Sequence, residues 1–446
     1  MKTLFPKQLE VADRFIRLHK NNRHTLDSSD VGTGKTVVAA YMAKELGLPV
    51  GVICPKAVIP AWDRELIEMG VEPEFVLNYE KLRTGKTPFV KKKGKRSMKW
   101  GLPDNTLVLV DEVHKCKGPY TQNAQLLISL VTQRFHVHAM SATAAEDPTE
   151  MRALGYMLGL HFLNNQPCSW TAWMGSYGCY QDHWGKWHSG SREHLKKLHE
   201  RIYEDVKHED AFPNINWPGD KNYARAAKLR IEDFPHSFKN TRVFVEPVEF
   251  KNANRILEAY ESLGVTPAVV EEYIETGTVT DSAHTLVNIL RARQLAESFK
   301  VPCLADMARD YVAQGMSVVL FVNFRETADA LCESLGCSSV VGGQSIEQRQ
   351  EVIDGFQEDR LHTLVVNIAA GGTGLSLHDT RGKRPRISLI SPTFSAKEHL
   401  QALGRIHRNG AKSDAIQKIL VAADSVEEDV LKSIKRKSAN LRALHG

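Results

Sequence analysis

The chain has 446 residues, 42% of them hydrophobic and 25% charged, and carries a net charge of +5 at neutral pH. That is the composition of a soluble globular protein, and the length exceeds one ordinary core, so two or three domains are expected. No apolar run approaches a membrane span of ~18 residues, and the opening MKTLFPKQLE lacks the apolar core of a signal peptide. Seven cysteines without a Cys-x-x-Cys pair suit reduced thiols and an intracellular, cytoplasmic setting.

In chain order, the first feature is SSDVGTGKT at 28–36, overlapping KTVVAAYMAKEL (35–46) with helical spacing. A phosphate-binding loop needs a Gly-rich turn whose backbone N–H groups face the anion. A helix must then begin at the Lys-Ser/Thr pair and add its N-terminal dipole. Gly32 and Gly34 allow the turn, and Lys35 and Thr36 open the helix, although Ser29 stands where the general pattern has its first Gly. A second Gly-Lys-Thr, in LRTGKT at 82–87, runs into Pro88 and a lysine run. Proline there is incompatible with an ordinary helix interior, so the first copy is the phosphate loop.

After VGVICP (50–55), the segment from Lys81 to Lys99 holds nine Lys or Arg and no Asp or Glu, including KKKGKR at 91–96. Such local charge suits a polyanion such as nucleic acid. A β-hairpin that contacts a duplex and a solvated loop both stay open, and KKKGKR also matches the loose pattern of a nuclear-import signal. TLVLVDE (106–112) then ends an apolar strand on Asp111 and Glu112. A strand-end Asp can hold Mg²⁺, and the adjacent Glu can orient and deprotonate a water for attack on a γ-phosphate.

HVHAMSAT (136–143) closes a first group of β-rich runs, and SVVLFVNF (317–324), TLVVNIAAGG (363–372) and RISLISP (386–392) form a second. IEQRQEVIDGF (346–356) among them has helical spacing. Buried β-branched runs alternating with helices predict an α/β fold of parallel sheets with helices on both faces. The expected domains are a lobe over 1–150, a mainly helical insertion over 151–300 and a second lobe over 301–446. Within the insertion, Trp170, Trp173, Trp184 and Trp187 suit a local core better than base stacking. Cys168, Cys179, His183 and His188 raise a zinc site, but their spacing fits no tight ligand pair.

Read together, these segments resemble a superfamily 2 helicase of the Swi/Snf type, closest to its annealing-helicase branch. SDVGTGKT fits that superfamily's G-x-G-K-T loop, which accounts for Ser29. FPKQLEVADRF (5–15) resembles the segment whose glutamine, here Gln8, reads adenine. CPKAVIPAWDRE (54–65), with Lys56, Trp62 and Glu65, resembles motif Ia; LNYEKL (77–82), with Asn78, motif Ib; DEVH (111–114) the DEAH box; and SATA (141–144), with Thr143, motif III. VNFRETADAL (322–331), with Arg325, resembles motif IV, and NIAAGGTGLSLHD (367–379), with Thr373 and Gly374, motif V. QALGRIHRNG (401–410) is similar to motif VI almost letter for letter. WGKWHSGSREHLKKL (184–198) and RIEDFPHSFKNTRVFVEP (230–247) echo the annealing-helicase branch, whereas Asn409-Gly410-Ala411 departs from nucleosome remodellers, which place Gln there.

The resemblance implies two tandem RecA-like lobes that use ATP and Mg²⁺. It implies that Gln8, Gly32, Thr33, Gly34, Lys35, Thr36 and Gly374 bind nucleotide, that Thr36 and Asp111 hold Mg²⁺, and that Glu112 activates water. Gln401, Arg405 and Arg408 are then expected at the γ-phosphate, the arginines as fingers from lobe two. Lys56, Asn78, Thr143, Arg325 and Thr373, with Lys91, Lys92 and Lys93 of the basic run, are expected on nucleic acid. The implied activity is ATP-driven DNA translocation that remodels branched DNA by fork regression or branch migration, in replication, recombination or repair. Its partner would be duplex, forked or four-way DNA and its working form a monomer, with compact phage and bacterial branch-migration helicases a better comparison than nucleosome remodellers. An RNA helicase, or an ATP-switched binding protein that does not translocate, are the alternatives.

Overall fold

The structure is a computed structural model; it describes every residue except 1–2, 22–23, 94–97, 165–167, 184, 186, 205–224, 235–237, 249–252, 277–281, 372–374, 424 and 446. The chain divides into two compact units, Met1–Asp233 with Ala439–Gly446, and Phe234–Ser438.

The first unit is built on strands β1 (Thr25–Asp27), β2 (Val50–Cys54), β3 (Pro73–Asn78), β6 (Leu107–Asp111), β7 (His136–Met140) and β10 (Ala226–Ala227). They form one parallel sheet in the order β10-β1-β7-β6-β2-β3. Every residue of β2 is buried, as is Leu107–Val110, which is why these runs are apolar on both faces. The helices Lys35–Leu46, Ile59–Met69 and Gln122–Thr132 connect the strands. Because all strands run the same way, their carboxyl ends and the loops that leave them share one edge.

Two small antiparallel ribbons decorate this unit. Strands β4 (Val90–Lys92) and β5 (Met98–Trp100) form one, and β8 (Tyr180–Gln181) and β9 (Trp187–His188) the other. The basic run is therefore a hairpin over its described residues, with Lys95 and Arg96 outside them.

The second unit carries β11 (Thr241–Val248), β12 (Ser317–Val322), β13 (Ser338–Val340), β14 (Thr363–Asn367), β15 (Arg386–Ile390) and β16 (Ala415–Ala422), again all parallel, in the order β11-β16-β15-β12-β14-β13. Val319, Phe321, Leu364, Val366 and Ile390 are core residues of this sheet.

The stretch 151–300 is shared between the units. Helices Arg152–Met157, Trp170–Ser176 and Arg192–Tyr203 lie in the first, and Ala253–Glu261, Pro267–Thr276 and Ser282–Phe299 in the second. Trp170 and Trp173 are buried, Trp173 against Tyr177 and His161, so both pack a local core; Trp187 is half-buried and Trp184 lies outside the described residues. Cys168 and Cys179 are buried, His188 faces Asp182 at 2.8 Å, and among the described residues no three His, Cys, Asp or Glu come together as metal ligands.

Candidate active site

The loop that leaves β1 turns through Gly32 and Gly34, at φ 87° and 92°, and the helix Lys35–Leu46 starts directly after it. Only glycine adopts that left-handed region without strain. Gly34 is fixed twice over, because a Cβ there would sit 2.5 Å from Nε2 of Gln8. Gln8 is buried in the first helix, Pro6–Lys20. Its Nε2 donates to the Thr33 carbonyl at 2.7 Å, and its Oε1 accepts from the Phe5 amide at 3.0 Å. A carboxamide has two N–H donors and two acceptor lone pairs, so one of each remains for a base edge.

Lys35 reaches back over the loop, its Nζ donating to the carbonyls of Ser29 at 2.7 Å and Asp30 at 3.0 Å. Burial lowers its pKa, and Asp27, Glu112, Asp111 and Asp30 oppose that shift. Beneath the loop, Asp27 is fully buried and accepts the Ser29 amide at 2.9 Å.

Asp111 ends β6, and Glu112 follows it in the left-handed region, at φ 53°. A non-glycine residue held there pays a backbone cost that persists only where the surroundings over-determine it, commonly at functional sites. Here the constraints are visible. Asp111 Oδ1 accepts the Glu112 amide at 2.9 Å, and its Oδ2 accepts Trp62 Nε1 at 3.0 Å. The buried Tyr79 hydroxyl donates to the Asp111 carbonyl at 2.7 Å. Glu112 Oε2 accepts from Ser141 Oγ at 3.3 Å and lies 3.1 Å from His114 Nδ1, itself 3.1 Å from that same Oγ.

Burial first, and then the neighbouring charge of Glu112, push the Asp111 carboxyl up to about 7. Two adjacent carboxyl groups, with the Thr36 hydroxyl in the first turn of the helix after the loop, are the oxygen donors that a hard divalent cation takes, so the donor set fits Mg²⁺. The first unit thus gathers Gln8, Gly32, Thr33, Gly34, Lys35, Thr36, Asp111 and Glu112 along the carboxyl edge of its sheet. Sequence reasoning singled out Trp62 by position but missed Tyr79 and Ser141 as partners of the acidic pair. Apolar burial of Tyr79 and the crossover that brings β7 beside β6 have no local signature.

Other expected residues are distributed as follows. Lys56 is exposed after β2, and Asn78 ends β3 with Nδ2 donating to Glu80 Oε2 at 2.9 Å. Thr143 is buried at 3% exposure, its amide donating to Ser141 Oγ, so it offers little surface to a ligand. Lys91, Lys92 and Lys93 are exposed.

In the second unit, Arg405 is buried and Nη1 donates to the Leu375 carbonyl at 3.3 Å, while the Leu377 amide donates to the Arg405 carbonyl at 2.9 Å. Arg408 donates to the Gly404 carbonyl and to Ser376 Oγ, both at 3.1 Å, and Gln401 is buried in the helix Ala396–Leu403. The segments read as motifs V and VI are therefore laced together; Thr373 and Gly374 lie outside the described residues. Arg325 is exposed, with Nη1 donating to the Gly342 carbonyl at 3.3 Å. A residue absent from the sequence reading, Glu297, is buried and accepts the amides of Asn323 and Phe324 at 2.9 and 3.2 Å, holding the start of motif IV. Burial raises its pKa.

Comparison with known proteins places this geometry in context. Residues 300–410 match the family model described as the helicase conserved C-terminal domain. A protein of Acanthamoeba polyphaga mimivirus named as an ATP-dependent RNA helicase is 31% identical over 99% of this chain and 83% of its own length. The chromatin remodeling factor mit1 of Schizosaccharomyces pombe is 27% identical over 33% of this chain and 11% of its own length. Among solved structures, S. cerevisiae Dbp5 bound to RNA and ADP BeF3 aligns over 98% of this chain and 92% of its own, at 13% identity and a TM-score of 0.50, a likeness of fold.

Proposed function

Because the chain belongs to the Swi/Snf-like superfamily 2 helicases, an ATP-dependent family, we propose that it is a DNA-stimulated ATPase that translocates on DNA and remodels branched substrates. The observation that carries the reading is the wiring of Trp62, Asp111, Glu112 and Ser141 through hydrogen bonds of 2.9–3.3 Å. It ties the segments read as motifs Ia, II and III into one unit, so a displacement at a nucleic-acid-tracking segment reaches the acidic pair directly.

In this reading the Gly-rich loop and the helix N-terminus after it cradle the phosphates, and Lys35 shifts from the loop carbonyls to the β/γ-phosphates. Asp111 and Thr36 would hold Mg²⁺, which would supply charge neutralisation at the phosphates. Glu112, aimed by its left-handed backbone and by Ser141 and His114, accepts the proton of the attacking water. Gln8 reads the adenine edge through its remaining donor and acceptor. Arg405 and Arg408 supply the cation that phosphoryl transfer needs as charge develops, so hydrolysis waits on the second unit. Lys56, Asn78, Arg325 and Thr373 contact the phosphate backbone without reading sequence.

The preference for branched DNA rests on the resemblance of 184–198 and 230–247 to the annealing-helicase branch. A second reading, an RNA helicase, is favoured by the name of the mimivirus relative. Steady-state ATP turnover with no nucleic acid, single-stranded DNA, linear duplex, a four-way junction and RNA separates them. Strongest stimulation by the junction is the expected result; strongest stimulation by RNA would reassign the substrate, and no stimulation by any of them would leave only a nucleotide-switched binding protein.

A further inference from the structure

The second Gly-Lys-Thr of the sequence has a structural use. Gly85 adopts φ 68°, and a Cβ on it would lie 2.8 Å from the Lys92 backbone nitrogen, so the chain folds back tightly on glycine there. That turn brings Lys86 into an antiparallel bridge with Lys91, and the β4–β5 register sets Lys91 opposite Lys99. Residues paired directly across strands share a face, and neighbouring strands lie about 4.8 Å apart. Lys86, Lys91 and Lys99 therefore form a row about 10 Å long, from two such steps. All three are exposed, as are the adjoining Lys92 and Lys93.

The opposite face is a rigid anchor. Val90, Met98 and Trp100 are buried, and Phe75 of the edge strand β3 lies against Phe89 and Trp100. Trp100 Nε1 donates to Ser129 Oγ at 2.8 Å, and Gln133 bridges the strand by accepting the Trp100 amide at 3.1 Å and donating to the Met98 carbonyl at 2.9 Å. Like charges directly opposite one another destabilise a strand pair. Among the described residues none of the three lysines has an ion pair. Over its described residues the hairpin thus sets in register a row of lysines that form no ion pair.

We propose that this row is a sequence-independent binding site for the phosphate backbone of nucleic acid, additional to the contacts of the helicase motifs. The inference rests on the nucleic-acid-driven reading above. A diester backbone carries a regular series of charges whose contacts are counted by the salt dependence of binding.

The test is the full chain with Lys86→Gln, Lys91→Gln and Lys99→Gln together, titrated by fluorescence anisotropy against labelled duplex DNA and duplex RNA at several salt concentrations. Loss of three contacts should reduce the slope of log affinity against log salt by about 2 to 3. Nucleic-acid-free ATP turnover should stay at the wild-type value, which also reports that the fold is intact, and the triple Lys→Arg variant should restore the slope. An unchanged slope where the wild type binds well would overturn the row and leave the translocase reading standing. A reduced slope on RNA alone would uphold the row while moving the engine to RNA. Wild-type protein that binds neither would overturn both.

Discussion

Glu112, the proposed base of the first unit, is held in the left-handed backbone region at φ 53°. That backbone and the contacts to Ser141 and His114 fix the direction of its carboxylate beside Asp111. Glu112→Gln keeps the shape and removes the proposed base, and Lys35→Ala removes the ammonium proposed to reach the phosphates. Each should lower ATP turnover by about 10²–10³ or more, with the urea unfolding midpoint little changed. Near-normal kcat in either purified variant would refute the site. A different residue-scale test concerns stability. His19 Nε2 and His138 Nδ1 lie 2.8 and 2.7 Å from Thr25 Oγ1, under the strand that feeds the loop. Burial holds His138 down to about 3 and His19 well below its ordinary range. Both stay neutral when folded but take up protons when unfolded, so their contribution is whole above pH ~6.5 and lost as pH falls toward the folded value, by about 1.4 kcal/mol per unit for each. Urea unfolding free energies at about pH 7.5 and about pH 5.5 should show the decline, and His138→Gln should make it shallower by about 1.4 kcal/mol.

Among elements, the helix Lys35–Leu46 and the strands at 50–54, 107–111, 317–322 and 363–367 were legible in the sequence, since each is an apolar run or a helical repeat with its own punctuation. Strand β1 was not, because three residues, one of them the buried Asp27, show no periodicity; its place comes from pairing with β7 and β10. The hairpin β4–β5 was half legible. Its charge is plain in the sequence, but its register depends on Trp100 finding Ser129 and Gln133, partners about thirty residues away. Trp100→Ala should destabilise the first unit by about 3–5 kcal/mol, the usual cost of emptying a buried tryptophan site. Urea denaturation would show it, and a cost well under 1 kcal/mol would mean that the hairpin is not anchored as described.

At the scale of the molecule, the candidate phosphate loop and acidic pair lie in one parallel-sheet unit, and Arg405 and Arg408 in the other. If those arginines complete the chemistry, Arg408→Ala should bind ATP with little change while hydrolysing it about 10³-fold more slowly or worse. Equilibrium nucleotide binding measured beside kcat decides this, and loss of binding with hydrolysis would remove the finger role.

The amino-acid sequence alone determined the α/β class, and it supplied the proposed choice between two Gly-Lys-Thr copies and the proposed acidic pair. Those features are local: glycines where φ must be positive, a proline that forbids a helix, and a carboxylate at the end of an apolar strand. It did not determine that Trp62, Tyr79 and Ser141 hold that pair, that Glu297 holds motif IV, or that residues 151–300 are divided between two units. These depend on which strands become neighbours and on which polar groups burial forces together, and a one-dimensional pattern carries no record of either.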